Sequence, residues 1–486
     1  MKHKKKQNLM KVLKSFEAFE KKFQLDDQII DNIHWWDFLR YTIYLDLLIK
    51  LKLYENNFVK KNKFFLKKNL FKRFINYINK IRDFIYNIFF SKSPIWIKKN
   101  KIIIFGHSRR VYENELYIDK YVDPLIDLFK EKKKFIVIED PLNSVFFSNY
   151  NLLHFKPAKT KNLFYGDILI FFSSLLSKFY SKSISKSEIN QIEQFENQFK
   201  NLFKVELKLL NKIQNNIPIY KSKLFIYKIF FKIKKPKKII VVNSIGYEAV
   251  IETAKNLGIP TYELQHGSPS RGKLNYDYSS SITKSTFPNY FLSFGKIWTE
   301  DVKLPIKKEN IIEIGFPYLN QKLRSSSTSS KKKNIFLILS QGNISDKLMK
   351  FTLKLRKTLK KEIKIFYKPH PGEIFSNNKD YFKQLEDNNI SVLRDYKTDL
   401  YGMLKKSRWV LGVSSTALYE ALAFNCQVFV LKENTYESLN KLIKRNLVYL
   451  IKSSNEVHRL IRNKKKVNVK NLFFNDKNKN IKMIFK

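Results

Sequence analysis

Four short stretches of this chain place chemically capable residues at the end of an apolar run. The first is Gly412-Val413-Ser414-Ser415-Thr416-Ala417-Leu418-Tyr419-Glu420-Ala421-Leu422, where the run meets small hydroxyl residues and a helical pattern begins. Free backbone N–H groups, a positive helix end and Ser/Thr hydroxyls together form a seat for phosphate. Ser414, Ser415 and Thr416 are thus candidate phosphate contacts. Glu420, about one and a half turns into the helix, is placed to meet ribose hydroxyls. The plainer alternative is a serine N-cap with a solvated glutamate.

The second stretch is Tyr367-Lys368-Pro369-His370-Pro371-Gly372-Glu373. Its prolines hold the loop extended and fix the direction of His370, which can donate to a pyrophosphate, while Lys368 adds charge. Glu373 closes the same candidate donor-binding set. The third is Glu263-Leu264-Gln265-His266-Gly267-Ser268. Gly267 permits a tight turn that presents Gln265 and His266, and a histidine titrates near neutrality, as a general base or a phosphate ligand. The fourth is Gly106-His107-Ser108-Arg109-Arg110. Its paired arginines suit an anionic acceptor, and Glu113, Asp119 and Asp123 beyond it are further candidate bases. Surface charge on a loop is the competing reading there.

These loops need strands to aim them. Lys101–Gly106 reads as a buried strand, and Phe135–Ile138 as a second. Strand 238–242, helix 246–257 and strand 261–264 form one βαβ unit with Gly258-Ile259-Pro260 as its turn. The polar tract Ser325-Ser326-Ser327-Thr328-Ser329-Ser330-Lys331-Lys332-Lys333 reads as a linker. Beyond it the alternation restarts: strand 334–340, helix 345–360, strand 363–367, strand 391–393, helix 398–406, strand 408–413, helix 415–424, strand 427–431 and helix 436–445. The expected architecture is α/β. A mainly helical region at 1–98 precedes a Rossmann-like acceptor lobe at 99–324 and a Rossmann-like nucleotide-donor lobe at 325–486, with a cleft between the lobes.

The chain has 486 residues and a formal net charge of +50, and 44% of its residues are hydrophobic, which excludes a wholly disordered basic tail. A single cysteine, Cys426, excludes a disulfide scaffold and fits a reducing cytoplasm. The basic start at Met1–Lys6 is followed by no signal-type apolar core, and no run of about 18 apolar residues predicts a spanning helix. From Phe58 to Lys101, aromatic and aliphatic residues recur at spacings of three and four among lysines, as on a helix lying against anionic lipid. An ordinary core-facing helix is the alternative. The seven histidines have no metal-ligand spacing, and GxxxxGK[ST], GxGxxG and GxSxG are all absent. Those absences argue against an NTPase, a dinucleotide dehydrogenase and a serine hydrolase. The surplus charge alone would fit nucleic acid, but no recognition motif accompanies it, and no specific nucleic-acid partner is expected.

Leu264–Gly267, Lys368–Glu373 and Gly412–Ala421 together resemble the two-lobed GT-B glycosyltransferases of bacterial capsule and lipopolysaccharide assembly. The resemblance spans about 240–425. It implies that Lys368, His370, Glu373, Ser414, Ser415, Thr416 and Glu420 contact a nucleotide-sugar donor. It also places His266 at the catalytic cleft, and leaves the choice of base among His266, Asp119 and Glu113 open. Arg109, Arg110 and Gln265 then face the acceptor, a growing surface polysaccharide or lipid-linked glycan. The expected enzyme uses no cofactor or metal, opposing the leaving nucleotide's charge with helix ends, His and Lys/Arg, and sits peripherally on the inner face of the cytoplasmic membrane. A CDP-polyol phosphotransferase of teichoic-acid type and a sugar-nucleotide 2-epimerase are the alternatives.

Overall fold

The computed structural model describes residues 9–53, 92–107, 110–139, 158–180, 184–278, 283–324, 331–342, 344–370, 379–395, 398–433, 435–463, 472–475 and 478–485, with Ile85 and Glu373 besides. The serine tract 325–330, Arg109, Pro371, Gly372 and most of the lysine-rich stretch 58–101 lie outside them.

The first lobe is built on β1 (Ile102–Phe105), β4 (Phe135–Glu139), β5 (Leu163–Tyr165), β6 (Lys238–Val241), β7 (Thr261–Leu264), β8 (Tyr290–Ser293) and β9 (Ile311–Glu313); β2 (Val111–Glu113) and β3 (Leu116–Ile118) form a separate hairpin. The seven strands run parallel in the order β5-β4-β1-β6-β7-β8-β9. Successive side chains of a strand face opposite sides, and here both sides are buried. Ile103, Phe105, Ile136, Ile138, Ile239 and Val241 pack under helices Asp167–Ser177, Leu209–Lys234 and Glu248–Asn256. Ile102, Ile104, Phe135, Val137 and Ile240 face the opposite layer. That double burial is why these strands read as unbroken apolar runs.

The second lobe repeats the plan with β10 (Lys333–Leu339), β11 (Lys364–Lys368), β12 (Ile390–Val392), β13 (Ser407–Gly412), β14 (Gln427–Leu431) and β15 (Tyr449–Ile451), all parallel in the order β12-β11-β10-β13-β14-β15. The two-lobed Rossmann-like architecture expected from the alternation is therefore present. One apolar cluster runs through both lobes, joining Trp298, Phe316 and Tyr318 of the first to Tyr401, Leu418 and Tyr419 of the second.

Two features depart from the simple division of the chain. Helices Leu9–Lys22 and Trp35–Lys50 bury their apolar faces against Lys186–Phe203 and Leu209–Lys234, so the described N-terminal residues belong to a helical unit built partly from the first lobe. The buried Arg40–Glu20 pair anchors that unit, and Arg40 also donates to the carbonyl of Asp277 at 2.9 Å. In addition, residues 472–475 and 478–485 return to the first lobe. Phe474 N donates to Phe294 O at 2.8 Å, Trp298 Nε1 to Leu472 O at 2.7 Å, and Phe485 is fully buried beside Phe135 and Tyr262. The last stretch of the second part of the chain thus packs on the first lobe.

Candidate functional site

In open parallel sheets, ligands gather at the carboxyl ends of the strands. On the first lobe these ends carry Gly106–His107 after β1 and Gln265–His266 after β7. The two strands flank β6, and that spacing brings the imidazoles of His107 and His266 together, ring centres 5.7 Å apart and nearly parallel. Tyr121 closes the group from the loop after β3, its hydroxyl donating to the carbonyl of His266 at 2.7 Å.

Asp119 fixes that loop. Its carboxylate is buried and accepts from the backbone N–H of Tyr121 at 2.8 Å and of Val122 at 3.1 Å. Burial foremost, then the nearby Glu139 charge, pushes its carboxyl up to about 7. Asp119 is thus a positioning group for Lys120 and Tyr121, and its local bonds leave it poorly placed to act as a base. Asp123 is tied into the same turn, accepting from Asp119 N at 2.7 Å. Glu113 is occupied by Tyr318 and, at 2.6 Å, by Lys322.

Both described residues expected to face the acceptor have other roles. Gln265 is fully buried and links strand ends: Oε1 accepts from Phe294 N at 2.7 Å and Nε2 donates to Gly267 O at 2.7 Å. Arg110 is buried against Glu139 at 2.6 Å, so an anionic acceptor would have to displace that carboxylate. Arg109 lies outside the described residues.

On the second lobe, β11, β10 and β13 are neighbours, and their loops are laced together. Ser414 N donates to Gln341 Oε1 at 2.8 Å, Gln341 Nε2 donates to Ser414 Oγ at 2.8 Å, and Ser414 Oγ lies 3.0 Å from Thr435 Oγ1. Glu373 accepts from Ser340 Oγ at 3.0 Å and from His370 N at 3.1 Å. Its carboxyl is pushed up to about 7, chiefly by burial. Glu373 therefore ties His370 N to Ser340. Burial lowers Lys368 below the ordinary lysine range.

The expected phosphate seat is smaller than its sequence implied. The helix is Ala417–Ala423, and its first N–H groups are used locally: Ala417 N on Ser415 Oγ, Leu418 N on Ser415 O and Tyr419 N on Thr416 O. Ser415 and Thr416, half-buried, follow β13, and His370 follows β11, on the far side of β10 along the same sheet edge. Glu420 is buried, not solvated. Its carboxylate sits 3.9 Å from Lys120 of the first lobe and beside Tyr401, whose phenol is held well above its ordinary range by burial and then by that charge.

Several participants carry no signal in the sequence. Lys120 extends over the Tyr121 and Phe316 rings at 5.1 and 5.9 Å. Lys273 donates to Ser268 O at 2.7 Å and Lys441 to Pro269 O at 3.0 Å, so two ammonium groups brace the loop that follows His266. Burial and then the Lys441 charge push Lys273 down to about 8. Gln341 alone had a readable cue, a strand end followed by Gly342. Among the described residues, no cluster of three His, Cys, Asp or Glu side chains converges as a metal site would. A separate cavity of about 300 Å³, lined by Glu17, Arg271, Asp277, Tyr278, Glu300 and Asp301, includes none of the residues singled out from sequence.

No sequence family and no curated protein matches this chain. Among solved structures it is similar to the UDP-GlcNAc 2-epimerase of Methanocaldococcus jannaschii, with 14% identity, 79% of this chain and 99% of that one covered, and a TM-score of 0.48. It is similar also to the wall teichoic acid polymerase TagF (12% identity, 82% and 90% covered, TM-score 0.41) and to MurG of Acinetobacter baumannii (9% identity, 74% and 90% covered, TM-score 0.40). At these identities and scores no chemistry passes from those proteins to this chain.

Proposed function

We propose that the chain is a glycosyltransferase that moves a sugar from a nucleotide-activated donor to a hydroxyl of a growing surface polysaccharide or lipid-linked glycan. The observation that carries this reading is the Lys120–Glu420 pair, which joins the histidine-bearing strand ends of one lobe to the hydroxyl-bearing strand ends of the other. A reaction across that junction needs a base on one side and a cationic seat for the leaving group on the other.

The acceptor hydroxyl adds to the anomeric carbon as the bond from that carbon to the nucleotide's terminal phosphate oxygen breaks. His266 takes the hydroxyl proton, and Tyr121, bonded to its carbonyl, holds that residue in place. Negative charge passes to the nucleotide phosphate, where Lys120, His370 and the Ser415 and Thr416 hydroxyls oppose it. Glu420, buried beside Lys120, orients the ribose. Asp119, Gln265, Gln341 and Glu373 act through the loops that they hold.

The reading is tested by a thermal-shift screen of CMP, CDP, UDP and GDP against the purified chain. Stabilisation by one nucleotide, weakened by His370→Ala, is expected. Stabilisation by none would remove the nucleotide from the account.

A further inference from the structure

Helices Asp167–Ser177 and Leu209–Lys234 lie in one layer over the first-lobe sheet, burying Ile168 and Leu169 from one and Tyr227, Phe230 and Phe231 from the other. The turn Pro94–Trp96 joins the same layer through Ile97, and Lys234 Nζ donates to Ile95 O at 2.6 Å. What this layer turns outward is unusual for a surface facing water. Phe171, Phe172 and Leu175 are exposed on one helix, and Phe179 just beyond its end is 79% exposed. Phe225, Ile229 and Ile233, four residues apart, form an exposed stripe on the other helix, and Trp96 is 58% exposed beside its end.

The charge between these residues has one sign. Lys98, Lys99, Lys178, Lys228, Lys232 and Lys235 are exposed among them. No Asp or Glu occurs in 92–112, 168–187 or 207–247. An exposed apolar patch of this kind marks an interaction surface, and large aromatics rimmed by lysine alone complement a layer of apolar chains under anionic headgroups. No described helix is long and apolar enough to cross a membrane, so contact from this face would be lateral.

We propose that this face, formed by 95–96, 171–179 and 225–235, docks the protein on the surface of an anionic phospholipid membrane. It takes Ile95 and Trp96 from the end of the stretch 58–101 to which the sequence pointed and adds two helices outside that stretch, and it stands independently of the reaction proposed above. The aromatic and aliphatic side chains enter the headgroup boundary, while the lysines remain at phosphate level with their stems against the apolar groups.

Tryptophan fluorescence provides a direct test. Trp35, Trp36, Trp298 and Trp409 are buried, which leaves Trp96 as the indole able to meet lipid. Vesicles of phosphatidylglycerol with brominated phosphatidylcholine should quench the full-length protein, and Trp96→Phe should abolish the quenching. The triple variant Phe171→Gln/Phe225→Gln/Ile229→Gln should bind such vesicles at least about tenfold more weakly while keeping its melting temperature, because these side chains are exposed. Lys228→Glu/Lys232→Glu should weaken binding by about tenfold or more, since one basic residue near such a surface is worth roughly a factor of five. Pure phosphatidylcholine should bind poorly. Three results would each overturn the proposal: no binding to anionic vesicles; binding that leaves Trp96 unquenched; or binding unaltered in both variants, which would assign it to another lysine-rich segment or to charge alone.

Discussion

Glu420 of the second lobe and Lys120 of the first face each other at 3.9 Å, the carboxylate almost wholly buried and the lysine about a quarter exposed. Around this pair the lobes are packed and not merely apposed. Trp298 stacks on Tyr419 with ring centres 4.0 Å apart, and Lys441 reaches from the second lobe to Asp301 at 2.7 Å. The proposed chemistry thus lies where the two lobes are packed together.

The proposed reaction gives Lys120 a role in opposing the leaving group's charge. Removing Lys120 leaves the nearly buried Glu420 carboxylate without its cation, so Lys120→Ala should lower the melting midpoint somewhat. It should also lower kcat/KM by about 10²-fold, as loss of one charge-stabilising contact does. A large loss of stability with kcat/KM unchanged would make the lysine structural.

The Glu373 loop makes stability depend on pH with a definite sign. Its folded carboxyl, raised to about 7, binds a proton that the unfolded chain has already released above about 4.5. The contribution is complete below the unfolded value and is lost as pH rises toward 7. Glu373→Gln, which keeps a neutral side chain at every pH, should remove up to about 3 kcal/mol of that decline at the level of a 2–3 unit shift. Melting midpoints of both proteins between pH 4.5 and 8 check this; parallel curves would show that Glu373 is ionised in its loop.

Gln341 and Ser414 form a coupled pair through two backbone and side-chain bonds at 2.8 Å. Each alanine substitution should cost about 1–2 kcal/mol. The double variant should cost less than their sum, with a coupling of about 1 kcal/mol, and all three should bind nucleotide more weakly. Additive losses with unaltered nucleotide affinity would separate the lacing from the site.

Gly315 admits no side chain. Its φ is +71°, and a Cβ there would lie 2.2 Å from the carbonyl oxygen of Phe474. Gly315→Ala must therefore strain the turn or dislodge the returning C-terminal segment, at about 3 kcal/mol or more. Loss of amide protection at 472–475 and 478–485 in hydrogen exchange would locate the damage there. A variant as stable as the parent would mean that this segment is not packed as described.

The lobes were legible because a parallel strand covered on both faces must be apolar where it is buried, as at Ile102–Phe105 and Ile239–Val241. The strands β5, β8, β9 and β15, of three or four residues each, were not anticipated. Nor was the return of 472–475 and 478–485, a tertiary contact without a local signature. At the strand ends, the structure places His266 beside His107 and Tyr121, and Glu420 beside Lys120. Sequence did not reveal the partners of Gln265, Arg110 and Glu373, because Phe294, Glu139 and Ser340 lie 29, 29 and 33 residues away. Type and spacing reveal where a polar side chain starts; its partner decides what it does.

The central claim is glycosyl transfer with His266 as base. Its most direct test incubates the nucleotide sugar selected by thermal shift with a glycan acceptor, following nucleotide release and the ³¹P spectrum of the product together, for the parent protein and for His266→Ala. The account predicts acceptor-dependent nucleotide release, a product that carries no phosphorus from the donor, and a fall in turnover of about 10²-fold or more in the variant. Donor phosphorus in the product, an isomerised nucleotide sugar with no release, or a fully active His266→Ala protein would contradict it.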